Sequence, residues 1–106
     1  MESAPYVQRV LDAYRSTPGT SGAVRRPDRL FAVQLFERGV PLAVVENAFV
    51  LATVRRLTRP AGAPPLGLIR SLAYFSPVID EVLGLHIDDA YFQHLRHRLS
   101  RLLRQP

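Results

Sequence analysis

The sequence contains no cysteine, and this absence excludes several kinds of chemistry at once. Without a thiol the chain has no disulfide framework, no thiolate zinc site and no cysteine nucleophile. Its 106 residues are nevertheless enough to bury roughly 65% of the surface of the unfolded chain, so the fold needs neither a disulfide nor a metal site for stability. We interpret residues 1–106 as one domain.

Lysine is also absent, so all 14 basic side chains other than histidine are arginine, and the net charge is +5. Two causes remain open at this point. A GC-rich genome favours arginine codons whatever the protein does. Alternatively, arginine suits nucleic acid, because its planar guanidinium pairs with phosphate and stacks on bases. The composition therefore suggests nucleic-acid binding without being diagnostic of it.

We expect no segment that directs the chain to a membrane or across it. The N-terminal stretch, MESAPYVQRV, has no basic segment followed by an apolar run, so we expect no secretory signal and a cytoplasmic protein. The most apolar stretch, from Val40 to Thr58, is too short for a membrane span and carries Arg55 and Arg56 near its end. No membrane partner is expected.

Catalytic and cofactor motifs are missing as well. Neither the P-loop pattern GxxxxGKS/T nor GxGxxG occurs, and no serine lies in a nucleophile-elbow pattern. His94 and His97 could share a metal, but no carboxylate lies at a suitable helical offset and their surroundings are cationic. The adjacent Asp80 and Glu81 point about 100° apart on a helix and cannot act as a facing pair. We predict no enzyme activity, no cofactor and no bound metal.

The stretch from Val40 to Thr58 is the centre of the predicted fold. Plotted at about 100° per residue, its apolar side chains surround nearly the whole helix, which is typical of a buried helix. Apolar spacing and helix-end signals predict further helical segments at residues 3–16, 27–39, 71–84 and 88–104. The sequence therefore predicts an all-α protein, a small helical bundle of about five helices around a buried central helix.

Local signals mark the ends of these segments. Hydroxyl and carboxylate side chains cap helix N-termini, proline is tolerated in the first turn, and glycine follows a C-terminus. On these grounds Gly39 ends the second helix, and Pro77 breaks or kinks the segment that ends at Gly84. The residues predicted to begin helices are Ser3, Pro27 with Asp28, Ser71, Ser76, and Asp88 or Asp89.

The sequence also leads to expectations about which side chains are exposed. The loop TPGTSGAVRR is long for a helical domain, so we expect it to be functional or mobile. We expect the buried side of the second helix to consist of Leu30, Phe31, Leu35 and Phe36. The aromatic side chains expected to reach the surface, where they could stack on unpaired bases, are Tyr6, Tyr14 and Tyr74.

The second and central helices have the outline of a helix-turn-helix, with Gly39 in the turn. In that motif the second helix presents polar side chains to the DNA groove. Here it is the most apolar helix of the chain and offers only Glu46, Asn47 and Thr53 near its start. A plain helical hairpin is the favoured interpretation.

The last helix has two distinct faces. One face is apolar, and the other is basic with no acidic residue after Asp89. Arginines near a helix C-terminus also interact favourably with the helix dipole, so they can stabilise the fold without binding any ligand. A solvated face and a polyanion-binding face therefore remain equal alternatives. The apolar residues are Tyr91, Phe92, Leu95, Leu99, Leu102 and Leu103. The basic face consists of His94, Arg96, His97, Arg98, Arg101 and Arg104.

Two functional hypotheses follow from these faces. In the first, the protein is a nucleic-acid-binding accessory protein that contacts phosphates, on DNA rather than RNA, with Arg96, Arg98, Arg101 and Arg104 as principal contacts. The residues predicted to assist are Arg25, Arg26, Arg55, Arg56 and Arg59. In the second, the protein is a protein-interaction or oligomerising subunit of a larger complex, whose partner or second copy packs on Leu95, Leu99 and Leu102.

The stretch from Tyr14 to Glu81, about two thirds of the chain, resembles the helical domain of the DnaD and DnaT group of bacterial replication-initiation and primosome proteins. This resemblance implies a DNA-binding or primosome-contacting accessory module of bacterial or mobile-element replication. The chain differs from that group at Pro77 and has no winged-helix half before Tyr14, which points to one subunit of a larger assembly. The matching pieces are Tyr14 with the loop Thr17-Pro18-Gly19, then ERGVPLAVVENAF with the basic stretch after it, and IRSLAYFSPVIDE.

Overall fold

The computed structural model describes residues 1–85 and 87–104. Within these residues there are five α-helices, one short 3-10 helix and no β-strand. The prediction of a small all-α bundle is therefore confirmed. The helices are α1 (Ser3–Ser16), α2 (Arg26–Glu37), α3 (Leu42–Leu57), the 3-10 helix (Leu72–Phe75), α4 (Ser76–Gly84) and α5 (Asp89–Arg104).

The central element of the bundle is α3. The helices α1, α4 and α5 and the 3-10 helix all pack on it. Phe75 of the 3-10 helix meets Phe49 of α3 edge to face at a centroid distance of 4.8 Å and Tyr14 of α1 at 6.2 Å, so one aromatic cluster joins three elements. The predicted burial of the central helix is confirmed by Val45, Ala48, Phe49, Leu51, Ala52, Thr53 and Val54.

The connection between α2 and α3 is a tight turn at Gly39. Its φ of 73° lies in the left-handed region, which only glycine adopts without strain. The N–H of Gly39 donates to the carbonyl of Phe36 at 2.9 Å, and the N–H of Val40 donates to that of Leu35 at 3.0 Å. These two bonds form a Schellman motif, which satisfies the last carbonyls of α2. The prediction that Gly39 ends this helix is confirmed.

The two long connections of the chain, residues 17–25 and 58–71, are tied to each other. Thr20 and Ile69 form an isolated parallel bridge. The N–H of Ile69 donates to the carbonyl of Gly19 at 2.8 Å, and the N–H of Ser21 donates to the carbonyl of Ile69 at 2.9 Å. Ile69 is buried under the first connection. The loop expected to be functional or mobile is therefore held against the second connection by backbone hydrogen bonds.

The predicted serine caps are wrong. Ser3 and Ser76 are the first residues inside α1 and α4, and Ser71 precedes the 3-10 helix without a capping hydrogen bond from its side chain. The predicted break near Pro77 is confirmed, because the 3-10 helix gives way to α4 at Ser76 and the proline occupies the second position of α4. At that position its missing N–H leaves no intrahelical bond unmade.

Three predicted exposures are also wrong. Leu30 is 52% exposed, because the buried stripe of α2 runs instead through Asp28, Ala32 and Leu35. Tyr6 and Tyr14 are buried rather than exposed. For both side chains, burial of the aromatic ring stabilises the fold by more than burial of the single hydroxyl destabilises it. The hydroxyl of Tyr6 also donates a hydrogen bond to the carbonyl of Val40 at 2.7 Å. Burial raises the pKa of both phenols.

Candidate functional site

The basic face of α5 lies on the outside of the bundle. The helix begins where Asp88 accepts the N–H of Ala90 at 2.6 Å, and Phe92 and Leu95 anchor it in the core. On the opposite side, none of the arginines forms an ion pair within the described residues. The exposed side chains of this face are His94, His97, Arg98, Arg101 and Arg104.

Arg96 differs from the other arginines of α5. It is half-buried, and its guanidinium donates to the side-chain oxygen of Asn47 on α3. This bond joins two helices that also pack through apolar side chains. Arg96, predicted as a principal nucleic-acid contact, is therefore engaged within the bundle and lies apart from the exposed stripe that includes Arg98, Arg101 and Arg104.

Arg55 is paired with an acidic residue of α4. Its Nη1 and Nη2 donate to the two carboxylate oxygens of Glu81 at 2.8 and 2.6 Å. This hydrogen-bonded pair lowers the pKa of Glu81 and raises the pKa of Arg55. The neighbouring Asp80 forms an ion pair with Arg38 at 3.1 Å. The role of Asp80 and Glu81 as partners for arginine was not predictable from the sequence, because Arg38 and Arg55 lie 42 and 26 positions away from them.

Arg56 holds the connections around the 3-10 helix together. Its Nη1 donates to the hydroxyl of Tyr74 at 3.0 Å and its Nη2 to the carbonyl of Gly67 at 2.9 Å. The guanidinium carbon lies 5.7 Å from the centre of the Tyr74 ring, in cation–π range. A Cβ atom at Gly19 would lie 3.3 Å from Nε of Arg56, so glycine allows this close approach. Arg59 in turn donates to the carbonyl of Pro64 at 2.6 Å.

The 3-10 helix connects two of the predicted arginine groups. Arg25 and Arg26 are exposed at the N-terminus of α2. In the same turn, the buried carboxylate of Asp28 accepts the N–H of Arg25 at 2.8 Å and the N–H of Leu72 at 2.9 Å. Two residues after Leu72, Tyr74 binds Arg56. Arg25 and Arg26 therefore lie near the start of the 3-10 helix, and Arg56 contacts Tyr74 near its end. The arginines of α5 form a separate group.

One open cavity beside these arginines, of about 310 Å³, lies between Gly19, Arg56, Arg59 and Pro64. Two further open cavities lie beside them. The first, of about 360 Å³, is lined by Ala52, Arg55, Arg56, Arg59, Tyr74 and Val78. Tyr74 is 45% exposed there, as predicted. The second, of about 340 Å³, separates the C-terminal halves of α1 and α5, and its apolar walls include Ala13, Val50, Leu99 and Leu103.

Comparison with known proteins found no matching family model, no matching curated protein and no matching solved structure. In the described part of the chain, no helix combines the length and apolar character needed to cross a membrane. Among residues 1–85 and 87–104, no three or more histidine, aspartate or glutamate side chains gather where they could hold a metal ion. The arrangement of the arginines is therefore the feature of the structure that bears on function.

Proposed function

We infer that this is a non-enzymatic accessory protein that binds nucleic acid, preferentially DNA, through phosphate contacts. The observation that supports this function is a difference among the arginines. Arg38 and Arg55 are neutralised by acidic partners, whereas Arg98, Arg101 and Arg104 are exposed on one helix and make no ion pair within the described residues. A row of uncompensated guanidinium groups attracts a polyanion and contributes little to the stability of the fold itself.

The spacing of these arginines suits a nucleic-acid strand. Arg98, Arg101 and Arg104 follow one another at intervals of three residues, so the first and last lie about 9 Å apart along the helix axis. Phosphates of one strand of duplex DNA recur every 3.4 Å or so along the duplex axis, so three guanidinium groups on long side chains can reach separate phosphates. Such contacts position a protein on the backbone and carry little base preference.

The other predicted arginines contribute unequally to this proposal. Arg25 and Arg26 are exposed at the N-terminus of α2, where the helix dipole also favours phosphate. Arg56 and Arg59 retain their charge, because their acceptors are neutral oxygens. We give Arg55 a smaller role, since Glu81 neutralises it. Arg96 donates to the neutral side-chain oxygen of Asn47, so it retains its charge, but this bond holds it half-buried against α3. The resemblance to the DnaD and DnaT helical domain points to the same class of function, in replication or mobile-element DNA processing.

The test is a fluorescence-anisotropy titration with single- and double-stranded DNA and RNA at two salt concentrations. The variant combines Arg98→Gln, Arg101→Gln and Arg104→Gln, all on exposed positions, so the fold should be retained in a circular-dichroism melt. For duplex DNA, we expect the slope of log K against log salt to lose about 0.9 for each phosphate contact removed.

The matched control for this titration is Arg38→Gln, which removes an arginine already paired with Asp80. We expect this variant to bind nearly as well as the unmodified protein. Equal affinity of the unmodified protein and the triple variant, at both salt concentrations, would overturn the assignment of the α5 arginines.

One observation favours the second function, a protein-interaction or oligomerising subunit. Leu95, predicted to contact a partner, is instead buried in the core. Leu99 shares an open apolar cavity with Val50 and with Leu103, which is 52% exposed. A covering surface would remove this apolar area from water. Light scattering tests this function, with Leu103→Gln as the variant. An oligomer that dissociates in the variant supports it, and a monomer at all concentrations that pulls down no partner contradicts it.

A further inference from the structure

The cavity at the C-terminal end of α3 has one basic wall and one apolar wall. Ala52, Arg55, Arg56 and Arg59 follow the spacing that places helix residues on one face, and Arg59 lies just beyond the helix end. Tyr74 of the 3-10 helix and Val78 of α4 complete the lining. The volume of about 360 Å³ falls within the range of small-molecule sites, roughly 300 to 1,000 Å³.

The basic wall carries two uncompensated charges. Glu81 neutralises Arg55 through two hydrogen bonds. Arg56 donates to a phenol oxygen and a carbonyl, and Arg59 donates to a carbonyl, so neither has an acidic partner in the part of the chain that the structure describes. A guanidinium has five N–H donors, and these bonds occupy two on Arg56 and one on Arg59. Both side chains therefore retain charge and donors for a ligand.

The charge of this wall favours a phosphate monoester over a phosphodiester. A monoester carries about −1.5 to −2 at neutral pH, which matches two guanidinium groups, whereas each phosphodiester of a strand carries a single charge. Pairs between arginine and phosphate are strong, because both partners are charged and the contact is bidentate. The ring of Tyr74, which contacts Arg56, and the methyl groups of Val78 offer apolar surface to a flat group. The two walls together match a nucleotide.

We propose that this cavity binds a nucleoside 5′-phosphate, with the phosphate between Arg56 and Arg59 and the base against Tyr74 and Val78. The same chemistry has two sources, a free mononucleotide and the 5′-phosphorylated end of a nucleic-acid strand. The strand end depends on the proposed function, because the α5 arginines would hold the rest of the strand. The free nucleotide does not depend on it.

The first experiment is calorimetric titration of the full chain with AMP, adenosine and inorganic phosphate. AMP is expected to bind at least about tenfold more tightly than adenosine, because only AMP pairs with the guanidinium groups. It is also expected to bind more tightly than inorganic phosphate, because the base packs on Tyr74. Equal binding of AMP and adenosine, or no binding of AMP, would overturn the proposal.

The informative variant is Arg59→Gln, because Arg59 is exposed and its substitution leaves the contacts of Arg56 with Tyr74 and Gly67 in place. We expect it to weaken AMP binding by about tenfold or more while the melting curve stays the same. The matched control is Arg9→Gln on α1, whose guanidinium lies 4.0 Å from Glu46. An equal loss of AMP binding in both variants would contradict a local site.

A second experiment separates the two sources. Two oligonucleotides of identical sequence are compared, one with a 5′-phosphate and one with a 5′-hydroxyl. Tighter binding of the phosphorylated strand, with the preference lost in Arg59→Gln, supports the strand end as the ligand. AMP binding without any oligonucleotide binding supports the free nucleotide and overturns the proposed function. Oligonucleotide binding that ignores the 5′-phosphate, together with no AMP binding, overturns only the cavity.

Discussion

Asp28 and Leu72 lie 44 positions apart in the chain and are joined by a buried hydrogen bond. The N–H of Leu72 donates to Oδ1 of Asp28 at 2.9 Å, while Oδ2 accepts the N–H of Arg25 at 2.8 Å. Asp28 is 2% exposed and Leu72 is fully buried. A single carboxylate therefore satisfies the first turn of α2 and fixes the start of the 3-10 helix. Through that helix it also positions Tyr74, the aromatic wall of the cavity.

Replacing Asp28 by alanine is expected to destabilise the protein by about 3 kcal/mol, because both bonds involve a charged acceptor and Leu72 would keep a buried N–H without a partner. Urea denaturation measures this change. The control is Asp12→Ala, since Asp12 is exposed and its carboxylate accepts a hydrogen bond from the exposed side chain of Gln8. We expect the control to stay within about 0.5 kcal/mol of the unmodified protein. A loss below 1 kcal/mol or so for Asp28→Ala would contradict the role of this carboxylate.

Two buried tyrosines provide a matched pair of substitutions. The hydroxyl of Tyr6 donates to the carbonyl of Val40 at 2.7 Å, whereas the hydroxyl of Tyr14 has no hydrogen-bond partner among the described residues. Tyr6→Phe leaves a buried carbonyl unpaired and should cost about 1 to 2 kcal/mol. Tyr14→Phe removes an unpaired polar group and should leave the stability unchanged or raise it by up to about 1 kcal/mol. Equal losses in the two variants would show that the Tyr14 hydroxyl is also satisfied.

Two glycines should respond to alanine with opposite signs. Gly39 has a φ of 73°, and alanine in this left-handed conformation costs about 1 kcal/mol or more, although nothing lies within 4 Å of the added methyl group. Gly84 is the last residue of α4, has no positive φ and also has open space around it. Gly84→Ala should stabilise the protein by about 0.5 kcal/mol. Thermal melts compare them, and a stabilising Gly39→Ala would contradict the Schellman turn.

The fold was largely predictable from the sequence, because its main determinants are local. The apolar run of α3, the glycine at position 39 and the amphipathic pattern of α5 each act within a few residues. These signals correctly predicted the number of helices and most of their ends. They failed where tertiary contacts decide which side of a helix is buried. Leu30 was predicted to be buried, but the buried stripe of α2 includes Ala32 instead.

The arrangement of the arginines could not be predicted in the same way. Glu81 is the partner of Arg55 across 26 positions, and Asn47 is the partner of Arg96 across 49. Such pairs depend on how helices are placed in space, and the side chains themselves carry no signal for their partner. Only the exposed row at Arg98, Arg101 and Arg104 was predictable, because a helix with no acidic residue after Asp89 offers these arginines no partner nearby.

The pair of Arg55 and Glu81 should make the stability depend on pH in a defined direction. Hydrogen bonding to Arg55 holds the pKa of Glu81 below its ordinary value. A carboxylate with a lowered pKa in the folded state stabilises the fold above its unfolded pKa, near about 4.3, and loses this contribution as pH falls through the folded pKa. Glu81→Gln should therefore have a lower urea midpoint than the unmodified protein at pH 7.

The difference between the two midpoints should stay constant down to about pH 5 and shrink below about pH 4, because protonation then breaks the pair in the unmodified protein as well. High salt should also reduce it, since both side chains lie near the surface. Glu37→Gln, on the exposed end of α2, is the control, and its difference is expected to be small at every pH. A Glu81→Gln difference that persists undiminished at pH 3 would mean that packing, and not the ion pair, explains its effect.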